Sequence, residues 1–165
     1  MGWSSHHPVG LIHYSPQQCY RGYNLPTNAR GSNDAFLMDM EGRICHRWHS
    51  EEGIGYAHLL PYGNLLIRTA PPSDAGGAEN IGGSSAAILE LDWDSNVVWE
   101  YRNPLVHHDY ERLPNGNTLV LLFENLSSGL TSRIRGGIAG DSDPESMFGD
   151  QVQEIAPDGS LVYEW

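Results

Sequence analysis

The sequence predicts an all-β protein assembled from β-propeller blades. Three observations carry that prediction. A hairpin motif recurs three times, and a second turn motif recurs between its copies. The 165 residues also include 19 glycines and 10 prolines, a share that suits short strands and tight turns and argues against a helix bundle.

The hairpins come first. Met40–Trp48, Trp93–Tyr101 and Pro157–Trp165 align without a gap, starting 53 residues (40 to 93) and 64 residues (93 to 157) apart. In each, an acidic residue and a small turn residue follow the first position, and the chain then runs as a strand ending in an aromatic. Each follows a short apolar run, at Phe36–Met38, Ile88–Leu91 and Val152–Ile155. Asp-Gly or Asp-Ser-Asn between two such runs is a hairpin signal, because these residues tolerate positive φ. Between the hairpins, Leu60-Pro-Tyr-Gly-Asn64 matches Leu113-Pro-Asn-Gly-Asn117, and Leu25-Pro26 is a partial copy. The proline interrupts the ladder and Gly-Asn makes the turn.

The repeating unit is therefore strand, LPxGN turn, strand, variable loop, strand, Asp-type turn, strand. Four antiparallel strands per unit of about 50 residues is the pattern of a propeller blade. The blades span about 20–50, about 54–102 and about 107–165, in a single partial propeller domain over 1–165. Their variable loops cover about 69–85 and 124–149. Three four-stranded blades cannot close a ring and make half of a six-bladed one. The expectation is the N-terminal half of a longer polypeptide, with a second chain completing the ring as the alternative.

Charge limits the partners. Twenty-one acidic residues face nine basic ones, all arginine, for a net charge of −12. Nucleic acid and anionic membranes, which need clustered positive charge, are excluded as partners. The lack of lysine excludes Schiff-base chemistry and a P-loop. No apolar run is long enough for a transmembrane helix. The first ten residues lack the basic and apolar regions of a secretory signal, so the sequence as written reads as cytoplasmic. Cys19 and Cys45 are too few for a disulfide scaffold; they either pair with each other or stand as two unpaired thiols in or near strands.

Histidine is the informative type, with eight copies. His107-His108-Asp109 immediately precedes the inner strand of the third blade, whose start faces the central channel of a propeller. Two imidazoles beside a carboxylate can serve as nucleophile, general base or ligand. Adjacent strand residues point to opposite faces, so one of the pair should face the channel and the other pack sideways. His58 holds a similar place in the second blade. Arg112, in the inner strand of the third blade, offers a planar guanidinium suited to a sulfate or phosphate ester. Arg68, which follows the second strand of the second blade, and Arg133 and Arg135 in the long loop are further candidates for the same role, although against the net charge most arginines read as partners for the abundant acids. His6 and His7 read as solvated, and His46 and His49 as surface residues. Asp92 and Asp94 are explained by their turn, and Asp141 and Asp143 lack the further ligands of a calcium loop. Gly82-Gly83 is no nucleotide fingerprint, since it does not follow a strand and open a helix. No metal or cofactor is expected.

Taken together, Gly10–Tyr14, Arg21–Tyr23, Leu37–Arg43, Leu60–Asn64, Leu89–Trp93, Val98–Tyr101, His107–Asp109, Leu113–Leu119 and Glu154–Gly159 resemble the arylsulfotransferase family. The resemblance covers essentially the whole chain. It implies a six-bladed propeller that moves a sulfuryl group from a phenolic sulfate ester to a phenol, without a nucleotide sulfate donor. It also implies a histidine nucleophile and a sulfo-histidine intermediate, with further histidines and an arginine holding the sulfate oxygens. Carried onto this chain, it marks His108, and His107 second, as catalytic, with Arg112 and His58 on the substrate. The partners implied are an aryl sulfate and a phenol. The family's further histidine motifs, with the nucleophile expected among them, belong to its C-terminal half. Two other classes compete: a non-catalytic binding propeller, and a quinoprotein-like oxidoreductase, which would require a calcium site and a cofactor-stacking tryptophan.

Overall fold

In the computed structural model, residues 11–27, 32–71, 81–135 and 147–165 are described. His6, His7, Asp141 and Asp143 lie outside them. Ten strands form three antiparallel sheets. Sheet 1 pairs β1 (Ser32–Met38) with β2 (Ile44–Ile54). Sheet 2 is a meander of β3 (Tyr56–Leu59), β4 (Leu65–Arg68), β5 (Ala87–Leu91) and β6 (Val97–Arg102). Sheet 3 repeats it with β7 (Val106–Arg112), β8 (Thr118–Asn125), β9 (Phe148–Ile155) and β10 (Leu161–Glu164). A single-turn helix, α1 (Ser128–Thr131), follows β8.

The turns form as their residues dictate. Asp39, Asp92 and Asp158 each accept a backbone N–H two residues on with Oδ1, at 2.9–3.0 Å. The residue that must take positive φ is Gly42 (80°), Ser95 (70°) and Gly159 (85°) in the three copies. In the LPxGN turns, Gly63 and Gly116 take φ of 98° and 88°, and each donates to the leucine carbonyl at 2.9 Å.

The first repeat departs from the predicted four strands. Among the described residues it holds two, plus one isolated backbone bridge from Asn24 to Met38. Leu25-Pro26 lacks the Gly-Asn that closes the turn and the apolar run that would leave it, and the described residues around it form no second hairpin.

The sheets stack in chain order. Leu65, Ile67, Ala87, Leu89 and Leu91 of sheet 2 pack on Ala35, Leu37 and Trp48 of sheet 1. From its other face, Leu66 and Ile88 pack on Val106, Tyr110, Val120 and Leu122 of sheet 3. A strand covered on both faces reads as a continuous apolar run, as Leu65-Leu66-Ile67 does. Side chains of the last strand of each sheet lock onto the next sheet. Trp48 Nε1 donates to the Asp92 carbonyl at 3.1 Å, and Trp99 Nε1 to the Pro157 carbonyl at 3.0 Å.

Trp48 is fully buried and carries both apolar area and a hydrogen bond across the seam. Trp48→Ala is expected to cost about 3–5 kcal/mol, read as a lowered midpoint in urea unfolding. On the surface, hydrogen bonds from Asp34 and then Glu51 raise the His49 pKa, while Asp34 itself is lowered, chiefly by its bond to His49. The raised His49 contributes stability below its ordinary value of about 6.5 that is lost as pH rises through the folded value. His49→Gln should therefore flatten the decline of Tm on the alkaline side of pH 6.5, with the two proteins converging at higher pH.

Candidate functional site

The seam between sheets 2 and 3 departs from regular pairing at one place. Along β7·β8, Val106 pairs with Leu122 and the next pair is Tyr110 with Val120. Four steps on one strand thus oppose two on the other. The His107-His108-Asp109 segment is this bulge, and bulges re-aim side chains. It pairs instead with the segment before β5. Ser85 donates its N–H to the Val106 carbonyl at 2.8 Å, and His108 donates its N–H to the Gly83 carbonyl at 2.9 Å. His108 has φ +50°, left-handed backbone that a non-glycine residue adopts at a cost and that concentrates at functional sites.

The two histidines divide as alternation predicts. His107 is buried, and its ring stacks on Phe123 with centroids 3.8 Å apart. Burial pushes its pKa below the ordinary value, against opposing pulls from the Leu122 backbone and Asp150, so it is neutral near pH 7. Its Nε2 has no hydrogen-bond partner among the described residues; the Asp150 carboxylate lies 3.3 Å away but off the hydrogen-bonding axis. His108 is exposed. Its Nδ1 lies 3.0 Å from Nδ1 of His107, so one nitrogen carries the hydrogen and the other accepts it.

Gly83 seats the exposed ring. A Cβ there would lie 2.5 Å from Nε2 and 2.6 Å from both Cδ2 and Cε1 of His108. Near-equal short distances to three ring atoms mean that the imidazole lies face-down on the glycine backbone. The Nε2 edge is thereby left without a partner among the described residues.

Arg68 completes the arrangement. It is 7% exposed and ends β4. Its Nη1 donates to the carbonyls of Gly83 at 2.7 Å and Ser84 at 3.0 Å. Its Nε is buried without a partner, and no carboxylate among the described residues comes within ion-pair distance. Burial lowers its pKa, with Tyr110 and Asp109 pulling the other way. Arg68, His108, Asp109, Tyr56, Gly55 and Thr27 line one open cleft of about 310 Å³.

The other two predicted site residues lie elsewhere. Arg112, at the far end of β7, donates to Glu90 Oε2 at 2.7 Å and to the Gly116 carbonyl at 3.0 Å, and sits 4.5 Å over the Trp99 ring. It is a strut of the seam, engaged by a buried carboxylate. His58 accepts from or donates to the Tyr56 hydroxyl at 2.9 Å and stands 3.8 Å from the Glu111 carboxylate. It borders a neighbouring cleft of about 310 Å³ with Tyr56, Asp109 and Glu111. The sequence offers Arg68 among the arginines suited to an anionic ester but places only Arg112 on the substrate, and it does not bring Gly83 to the site. Arg68 differs from the other arginines only in what surrounds it, which no local pattern encodes. Cys19 and Cys45 are free thiols.

No family model matches the chain, and no curated protein matches it. Its structure is similar to that of a protein of unknown function from Bacteroides caccae, at 19% identity and a TM-score of 0.44. The match covers 88% of this chain and 47% of that one, so the chain spans about half the neighbour's length.

Gly83→Ala should damage the site, because the new methyl meets the imidazole and φ is +86°. A loss of about 1–3 kcal/mol is expected from the forced backbone and ring displacement, together with a changed His108 ring signal in NMR. Gly82→Ala is the control, since a Cβ there meets nothing within 4 Å.

Proposed function

We propose that this chain is an arylsulfotransferase-like β-propeller half. It would move a sulfuryl group from a phenolic sulfate ester to a phenol through a histidine intermediate. The observation that carries this reading is a buried guanidinium with no carboxylate within ion-pair distance among the described residues, opening with His108 and Asp109 onto one cleft. Removing a charge from water without a counterion is costly. With 21 acidic residues and nine arginines in the chain, a buried arginine without an ion pair among the described residues is matched to an anion from outside.

Sulfuryl transfer passes through a loose transition state with charge on the peripheral oxygens, so positioned donors do most of the work. Arg68 supplies a fixed guanidinium and His108 an Nε2–H. For neutral His108 to offer that hydrogen, its Nδ1 must accept from Nδ1–H of His107. The transferase reading requires that tautomer of the His107–His108 pair. The nucleophile is assigned to a further histidine of the completed ring.

One observation favours a second reading. Of the His107–His108 pair, only His108 reaches this cleft, which is enough for a non-catalytic module that binds an aryl sulfate or another anion.

Release of nitrophenol from 4-nitrophenyl sulfate, with phenol as acceptor, separates the two. Under the transferase reading, His108→Ala lowers kcat/KM by about 10²-fold or more, the scale for losing one transition-state donor. Arg68→Met lowers it similarly and weakens sulfate binding measured by calorimetry. Binding that depends on Arg68 without any turnover in the assembled particle would leave the binding module. Wild-type turnover and binding in both variants would remove the site.

A further inference from the structure

The contacts between successive sheets follow one register. His46 and Trp99 occupy the same repeat position. His46 Nε2 meets the Trp93 carbonyl at 2.9 Å, and Trp99 Nε1 donates to the Pro157 carbonyl at 3.0 Å. Trp93 and Pro157 are themselves equivalent turn positions of the next sheet. Trp48 and Tyr101, again equivalent, reach across to the Asp92 carbonyl at 3.1 Å and to Gln153 Oε1 at 2.8 Å. The third copies of these two positions are Tyr163 and Trp165, which are 57% and 82% exposed.

A polar contact repeats in the same way. Glu90 accepts from Asn64 Nδ2 at 2.7 Å within its own sheet and from Arg112 of the next sheet at 2.7 Å. Its equivalent, Glu154, accepts from the equivalent Asn117 at 2.6 Å and, among the described residues, from no group beyond its own sheet. Strand pairing places Leu119, Leu121, Val152, Glu154, Tyr163 and Trp165 on one face. That face has the composition of the sheet 2 face that packs on sheet 3.

The first sheet carries the complementary end. Met40 stands at the repeat position of Trp93 and Pro157, and its carbonyl receives no hydrogen bond among the described residues. A cleft of about 330 Å³, bordered by Leu11, Tyr14, Met38, Met40 and Gly42, lies at this turn. Asn24 stands at the repeat position of Arg112. Its Nδ2 rests 3.6 Å from the Met40 sulfur, a weak acceptor that a carboxylate can outcompete.

We propose that a second copy of this chain covers the outer face of sheet 3 with its own first sheet, head to tail. Tyr163 donates to the partner's Met40 carbonyl, Trp165 packs beside that turn, and Glu154 accepts from the partner's Asn24. A head-to-tail contact repeated between two copies makes a closed ring when the rotation allows it, here of six sheets. The inference stands on the seam register alone and not on the transferase reading.

Sedimentation velocity of the whole chain over a concentration series tests it. Wild type should shift from 18.3 kDa to twice that mass as concentration rises. Tyr163→Ala combined with Trp165→Ala should weaken self-association by at least about 30-fold, since buried Trp and Tyr anchors dominate such interfaces. Leu121→Glu, on the same face, should do likewise. All three side chains are partly or largely exposed in the single chain, so circular dichroism and the urea midpoint should stay close to wild type. A wild type that remains at monomer mass into the hundreds of micromolar overturns the proposal and leaves the face to some other sheet. A dimer that survives these substitutions overturns it as well.

Discussion

Sheet 2 is buried on both faces, and the rest of the structure follows from that constraint. Leu65 and Ile67 point one way from β4 and Leu66 points the other, all three fully buried. A sheet of this kind is stable only between two partners, since either face alone would expose a continuous apolar surface. Sheets 1 and 3 meet that need, and stacking in chain order keeps each connection short. Gly55 is the single residue joining β2 to β3.

The candidate site exists because one of these seams is imperfect. Where β7 separates from β8, its backbone groups would be left unpaired, and the segment before β5 supplies the missing partners. That exchange brings His108 onto Gly83 and both next to Arg68. The Gly83 carbonyl receives two donors, the His108 N–H and Arg68 Nη1. A change at this glycine therefore reaches the backbone, the imidazole and the guanidinium together.

The seams also show one position solved in two chemistries. Leu37 and Leu59 hold the repeat positions that Glu90 and Arg112 fill one sheet later. The ion pair is buried, carries an extra bond from Asn64 and lies against the Trp99 ring. Added hydrogen bonds and a cation–π contact offset the cost of taking two charges out of water. Such a pair also fixes the lateral register of the sheets, which leucines alone leave looser. Arg68 has no such carboxylate within ion-pair distance among the described residues, and that difference separates a structural arginine from a candidate ligand-binding one.

Local chemistry was legible in the sequence. The Asp-type and LPxGN turns depend on residues a few positions apart, so the hairpins, the sheet order and the all-β class could be read from their recurrence. Strand alternation predicted that the two rings would face opposite ways, but it is the bulge with left-handed His108 that buries His107 and exposes His108. That the described residues of the first repeat hold two strands and not four was visible in principle, since Leu25-Pro26 lacks Gly-Asn. What the sequence alone could not decide is which arginine meets a carboxylate. Arg112 and Arg68 both stand at the ends of strands, β7 and β4, and their fates separate only when Glu90, 22 residues before Arg112 in the chain, is brought across the seam. The seat of His108 on Gly83 likewise joins residues that no local pattern relates. Tertiary structure decided both, because burial and counterion placement depend on the packing of whole sheets against one another.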